Sequence, residues 1–196
     1  MDDSSISKDE VKSVYSLPLN VSEGSLIDFE TTGIPSIDSS HEVVTLGYLQ
    51  GDTVTIIQRS AKDTEHFYGD VRRILGNSPR PFYSYNTQFE RDIMQLELRM
   101  RVSEADFIDL MSPWKAKADE IRKKWPSLGE LISEPEDYYG QGKITGRNVP
   151  ELWSEYLSTG EQGILKRIME HCFSDILREA TLLLRYPYYA KSRRSF

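Results

Sequence analysis

Asp28 and Glu30 stand two apart at the end of an apolar run, Leu26-Ile27-Asp28-Phe29-Glu30, which passes directly into Thr31-Thr32-Gly33. On an extended strand, side chains two apart project to the same face. Two carboxylates so placed repel each other. A divalent cation relieves that repulsion, and hard carboxylate oxygens suit Mg²⁺ or Mn²⁺. An exposed strand end would carry the same two charges without any chemistry, and the Thr-Thr-Gly turn that follows favours the cation.

Three further positions fit with this pair. Glu90 lies in Tyr85-Asn86-Thr87-Gln88-Phe89-Glu90-Arg91-Asp92, where a strand ends, a polar turn follows and a helix begins. Asp175 sits in the last helix, and His171 lies four residues before it, one turn away on the same helical face. Both fall at the edge of the apolar stripe of that helix. A carboxylate there is partly buried and needs a partner. Taken singly, Glu90 reads as a charge that favours a helix N-terminus, Asp175 as a surface or capping residue, and His171 as a boundary histidine. Their order and contexts together argue for one site.

The elements that must position these groups are legible in outline. The spacing predicts a strand over 25–30, and two β-rich runs over 43–50 and 53–59 joined by a hairpin at Gly51-Asp52. Asp63 is an expected N-cap for a helix through Leu75, with Phe67, Val71, Ile74 and Leu75 on one side. A short strand over 82–85 follows Arg80-Pro81, then a helix over 88–101. Residues 107–111 form a short apolar piece. Helices are expected over 116–124, 127–132 and 149–156, the last burying Trp153. Residues 133–148, with Pro135, Gly140, Gly142 and Gly146, read as a long loop. The last helix, about 161–184, repeats apolar residues at helical spacing: Ile164, Leu165, Ile168, Met169, Cys172, Ile176, Ala180 and Leu183. Strands first, then strand and helix mixed, suit an α/β or α+β domain with a mixed β-sheet flanked by helices.

Bulk properties bound the possibilities. The chain has 196 residues, enough for one domain with a full core. Residues 1–22 read as a flexible leader, 23–187 as the domain and 188–196 as a basic tail. Apolar runs fall short of the ~20 residues that span a bilayer. The acidic start, Met1-Asp2-Asp3-Ser4-Ser5, does not resemble a signal peptide. Cys172 is the single cysteine, so no internal disulfide forms. These features suggest the cytoplasm. A net charge of −7 argues against a general nucleic-acid coating protein. It does not argue against a nuclease, whose metal-binding carboxylates are neutralised in use. Basic residues cluster at Lys115, Lys117, Arg122, Lys123 and Lys124, and again at Lys191, Arg193 and Arg194.

Asp28-Phe29-Glu30-Thr31-Thr32-Gly33 resembles the first motif of the DEDD, or DnaQ-like, 3′–5′ exonucleases, which have the ribonuclease H-like fold. Asn86-Thr87-Gln88-Phe89-Glu90 resembles their second motif, with Glu where Asp is usual. His171-Cys172-Phe173-Ser174-Asp175 resembles the third. Val149-Pro150-Glu151-Leu152-Trp153, Tyr156 and Thr159-Gly160 ahead of that helix are similar to the predicted ribonuclease H-like exonucleases, with Cys172 in place of Asn. Ile108-Asp109-Leu110-Met111 and Ser127-Leu128-Gly129-Glu130-Leu131 look like further landmarks, so the likeness covers about residues 24–186.

The resemblance implies a two-metal phosphodiesterase acting on the 3′ end of single-stranded DNA or RNA. Asp28, Glu30, Glu90 and Asp175 would hold two Mg²⁺ or Mn²⁺ ions about 4 Å apart. His171 would act as general base, since imidazole titrates near working pH, although it stands at the spacing usual for Tyr. Asp92 is the alternative to Glu90 as ligand. Thr31, Thr32 and Asn86 would contact the terminal nucleotide or brace the metal shell. Tyr83, Tyr85, Tyr138 and Tyr139 are aromatic candidates for base stacking. The competing reading is a ribonuclease H-fold module that binds nucleic acid or a partner protein with little or no catalysis. A third reading is an exonuclease subunit within a larger assembly, with the leader or the basic tail as the segment that docks a protein partner.

Overall fold

The computed structural model describes residues 10–34, 41–60, 64–132 and 144–192. The expected N-cap Asp63, Tyr138 and Tyr139, most of the long loop, residues 1–9 and the end of the basic tail lie outside them.

The frame is a mixed sheet in the order β2-β1-β3-β4. β1 (Glu10–Thr31) and β2 (Val43–Arg59) are antiparallel, whereas β3 (Phe82–Ser84) runs parallel to β1 and β4 (Phe107–Asp109) parallel to β3. Residues 107–109 read in the sequence only as an apolar piece; they are a short strand.

β2 is not a straight ribbon. The Thr45 hydroxyl hydrogen-bonds the side-chain oxygen of Gln58, and a Cβ on Gly47 would lie 3.1 Å from Ile56 Cδ1. On a straight strand, positions 45 and 58 would be ~43 Å apart at ~3.3 Å per residue. The chain therefore folds back on itself at Gly51-Asp52, where Gly51 takes φ +60°, a value that costs glycine nothing. The predicted hairpin is present.

Pairing in β1 follows from that reversal. Glu10↔Arg59 through Ser16↔Thr53 bind its first arm, Val21 faces Gly51, and Leu26↔Leu49 through Thr31↔Val43 bind its second arm. β1 thus runs along one edge of the hairpin to its tip and returns along the other. Residues 10–20, expected to be a loose part of the leader, are the first arm. Val11, Leu17 and Val21 pack onto the core, while Tyr15 lies with its ring 4.2 Å from that of Phe173.

The two faces of the sheet are covered differently. On one, Ile27, Phe29, Leu46 and Ile57 pack under α1 (Glu65–Asn77), which contributes Phe67, Val71 and Leu75. α2 (Gln88–Asp92) follows β3 and widens into a single π turn over Ile93–Glu97, so this helix ends short of residue 101. Ile93 and Met94 from that turn enter the same core. α3 (Ser112–Glu120) starts earlier than expected, because Pro113 suits a first helical turn. α4 (Leu128–Leu131) is set by a capping box between Ser127 and Glu130.

On the other face, Leu26, Leu49, Val54 and Ile56 meet α6 (Gln162–Ser192) through Met169, Cys172, Ile176 and Ala180. α5 (Val149–Thr159) buries Trp153 against the N-terminal part of α6. α6 continues past the expected residue 184 to Ser192. No helix among the described residues is long and apolar enough to cross a membrane.

Candidate active site

The second arm of β1 alternates apolar and acidic side chains, so Ile27 and Phe29 enter the α1 core while Asp28 and Glu30 face α6. Opposite Asp28 in the ladder is Gly47. A Cβ at that position would lie 2.6 Å from Cys172 Sγ and 3.0 Å from Ile176 Cγ1. α6 therefore rests directly on the strand, and its residues 171, 175 and 179, one per turn, meet the β1 carboxylates.

His171 Nε2 lies 3.5 Å from Glu30 Oε1 and 3.8 Å from Asp175 Oδ2. One donor atom each from Glu30, His171 and Asp175 falls within a 4.8 Å group, and so does one each from Asp28, Glu30 and Cys172. Arg178 donates to Asp175 Oδ1 at 2.7 Å. From the other side α2 presents Glu90, 2% exposed, which accepts a hydrogen bond from Ser84 at 2.9 Å.

The electrostatics are those of crowded, desolvated acids. Burial first, then the charge of Asp175, pushes Asp28 up to about 7. Burial and the charges of Asp28 and Asp175 push Glu30 well up, and burial with the charge of Asp28 does the same to Glu90. Asp28 Oδ2 is buried with no hydrogen-bond partner among the described residues. Such a set of mutually repelling oxygens fits a hard divalent cation. The Cys172 thiol is pushed well up by burial and by Asp28 and Glu30, so it stays protonated and offers no thiolate.

Asp28, Glu90 and Asp175 line a cleft of about 340 Å³, joined by Lys124 and Trp125 from the segment between α3 and α4. Glu30 and His171 do not line it. They lie near Gly146, where a Cβ would be 3.8 Å from Glu30 Oε2 and 3.9 Å from His171 Nε2.

The five residues expected to do chemistry are thus gathered in one place; of the three expected to touch substrate, Asn86 lines the cleft and Thr31 and Thr32 do not. Thr31 Oγ1 donates to Gly33 O at 2.6 Å, and Thr32 Oγ1 accepts from the Glu42 backbone N–H at 2.8 Å, so both hydroxyls hold the turn after β1. Asn86, at φ +70°, donates its N–H to Asp109 Oδ1 and accepts from Lys115 Nζ at 3.1 Å. Asp92 is bonded by Gln88 at 2.6 Å on the exposed side of α2 and is not part of the group.

Sequence reasoning missed Glu179. It is 2% exposed, lines the cleft, accepts from the Tyr85 N–H at 2.8 Å and has its Oε2 buried without a partner among the described residues. Burial and the charges of Asp28 and Glu90 push it well up. Its signal was the 171, 175, 179 spacing along one face of α6. Asp109 was noted only as a landmark. It accepts from the N–H groups of Asn86 and Met111 and from Lys115 at 2.8 Å, and so fixes the turn that leads into α2 and Glu90.

Comparison with known proteins found no match among curated proteins and none among solved structures. The family model of the RNase H superfamily, in contrast, matches residues 26–185, from the acidic arm of β1 through most of α6, and the chain belongs to that superfamily.

Proposed function

We propose that this chain is a metal-dependent 3′–5′ exonuclease acting on single-stranded DNA or RNA. Domains of the RNase H superfamily are commonly nucleases, and the resemblance of Asp28-Phe29-Glu30-Thr31-Thr32-Gly33 to the first DEDD motif supplies the direction of cleavage. The observation that carries the reading is the convergence of Asp28, Glu90 and Asp175 on one cleft, with Glu30 and His171 behind them.

Asp28, Glu30, Glu90 and Asp175 would hold two Mg²⁺ or Mn²⁺ ions, which supply an acidified water and offset charge on the phosphate and leaving 3′-oxygen. His171 would serve as the base of the site, holding the proton it takes up at Nε2, the nitrogen 3.5 Å from Glu30 and 3.8 Å from Asp175. Those two carboxylates would stabilise the imidazolium so formed. Glu179 fixes the Tyr85 turn through its hydrogen bond. Ser84 orients Glu90, and Asp109 with Lys115 holds the start of α2 in register with β1.

The test is incubation of the purified chain with 5′-labelled single-stranded DNA and RNA in Mg²⁺, Mn²⁺ or EDTA. A metal-dependent ladder shortening from the 3′ end, lost in Asp175→Ala, is the expected result. Retained binding without degradation under either metal would leave a binding module of the same fold. His171→Ala should lower turnover by ~10²-fold or more while metal affinity changes far less; a rate within about twofold would remove His171 from the role of base.

A further inference from the structure

Trp125 lines the same cleft as the carboxylates, yet it is 46% exposed. It is also held in place. Its Nε1 donates to Asp119 Oδ1 at 2.7 Å, and Lys115 Nζ lies 4.9 Å from the centroid of its ring. The next residue, Pro126, accepts a hydrogen bond from the Tyr85 hydroxyl. An indole fastened at its N–H and along the chain, but left open to solvent, has forgone burial that a side chain of its size normally gains. A flat, oriented π-face that opens on an anionic cleft is a platform for another flat ring.

What ring is indicated by the rest of the lining. Carboxylates suited to divalent cations call for a phosphate, and Lys124 adds a cation on the same cleft. Base, phosphate and metal site together describe a nucleotide. A cleft of about 340 Å³ has room for one such unit.

We propose that Trp125 stacks on the nucleobase at the 3′ end of a single strand, and that this contact makes the site tolerant of base identity. The proposal rests on the nuclease reading above for its substrate, and it deepens that reading by naming the residue that grips the base. Stacking is indifferent to which base is present, because every base has a π-face. Lys115 ties this wall to the turn into α2, since the same Nζ also reaches Asp109 and Asn86.

The experiment measures binding of a 5′-fluorescein oligothymidylate by anisotropy in Ca²⁺, and turnover of the same strand in Mg²⁺ or Mn²⁺. Two strands are compared, one intact and one with an abasic 3′-terminal nucleotide. Trp125→Ala is expected to weaken binding of the intact strand ~10-fold and to raise KM similarly, with kcat changed far less, as loss of one base–aromatic stack predicts. Trp125→Phe, which keeps the π-face but loses the bond to Asp119, should stay within about threefold of the parent. The abasic strand should bind the parent as weakly as the intact strand binds Trp125→Ala, and should lose nothing further in that variant.

Equal affinity of parent and Trp125→Ala, or an abasic penalty undiminished in Trp125→Ala, overturns the proposal. So does a Trp125→Phe variant as impaired as Trp125→Ala, which would assign the indole to holding Asp119. Absence of cleavage with the coupling intact would sink the nuclease reading and leave the stacking contact standing. Cleavage without the coupling would do the reverse.

Discussion

The second arm of β1 puts two opposite environments one residue apart. Ile27 and Phe29 enter the core under α1, where apolar neighbours surround them on all sides. Asp28 and Glu30 enter the layer under α6, where the neighbours are Glu90, His171, Asp175 and Glu179. Glu30 is as deeply buried as Phe29, and the consequences are opposite. On the α1 side, loss of water stabilises the fold. On the α6 side it raises the free energy of every ionised carboxylate. Strand alternation lets one face supply the stability that the other consumes, and a single backbone carries both in register.

The sharpest break of that symmetry is a pair of neighbouring substitutions. Asp28→Asn should reduce turnover by ~10³-fold or more, as expected for a group that works as a unit with its neighbours. The same change should raise the metal-free melting temperature, because it removes a buried charge. Phe29→Ala should do the reverse. A loss of ~3–5 kcal/mol in chemical denaturation is expected for emptying an aromatic core site, with kcat of the remaining folded fraction little changed. If both variants lose stability alike, the division of labour between the faces is wrong.

A smaller effect follows from pH. The Asp28 carboxyl rises from an ordinary value of 3.8 to about 7 on folding, and Glu30, Glu90 and Glu179 also rise. Each binds its proton more tightly in the folded chain than in the unfolded one. Their contribution to stability is therefore full below about pH 4 and is lost as pH rises toward 7 and beyond. Metal-free protein should melt at lower temperature at pH 7.5 than at pH 5.5, and Mn²⁺ should restore the loss at the higher pH. A melting temperature that rises across this window in EDTA would contradict the electrostatic picture.

The smallest expected effect separates two residues of α2. Asp92→Asn should leave turnover within about twofold, since its partner is Gln88 on the exposed side. Glu90→Gln, on the buried side, should reduce turnover by ~10²-fold or more. Steady-state rates on one labelled strand decide between them.

The acidic pair, the hairpin and the long last helix were legible because their residues report their surroundings directly. Asp28-Phe29-Glu30 alternates across a strand, Gly51-Asp52 demands a reversal, and α6 repeats its apolar residues at helical spacing. The first arm of β1 was not legible, because Val14 and Tyr15 remain exposed on it and no clean alternation marks an inner face. Glu179 escaped because a single Glu within a helix is usually solvated, and its partner is a turn almost a hundred residues away. The early end of α2 depends on the π turn at Ile93–Glu97, which swings Ile93 and Met94 into the core and leaves no local sign in residue type. The engagement of Thr31, Thr32 and Asn86 with neighbouring turns was hidden for the same reason: their partners are set by tertiary contact.

Gly47 carries a consequence for the chemistry although it holds no functional group. It lies opposite Asp28, and the hydrogen on its Cα is all that separates the strand from Cys172 and Ile176. One added carbon there would lift α6 off the sheet and draw Asp175 and Glu179 away from Asp28, with every ligand intact. The aperture of the site is thus gauged by a residue that touches neither substrate nor cation, and a methyl group on the far side of the ladder would detune the reaction.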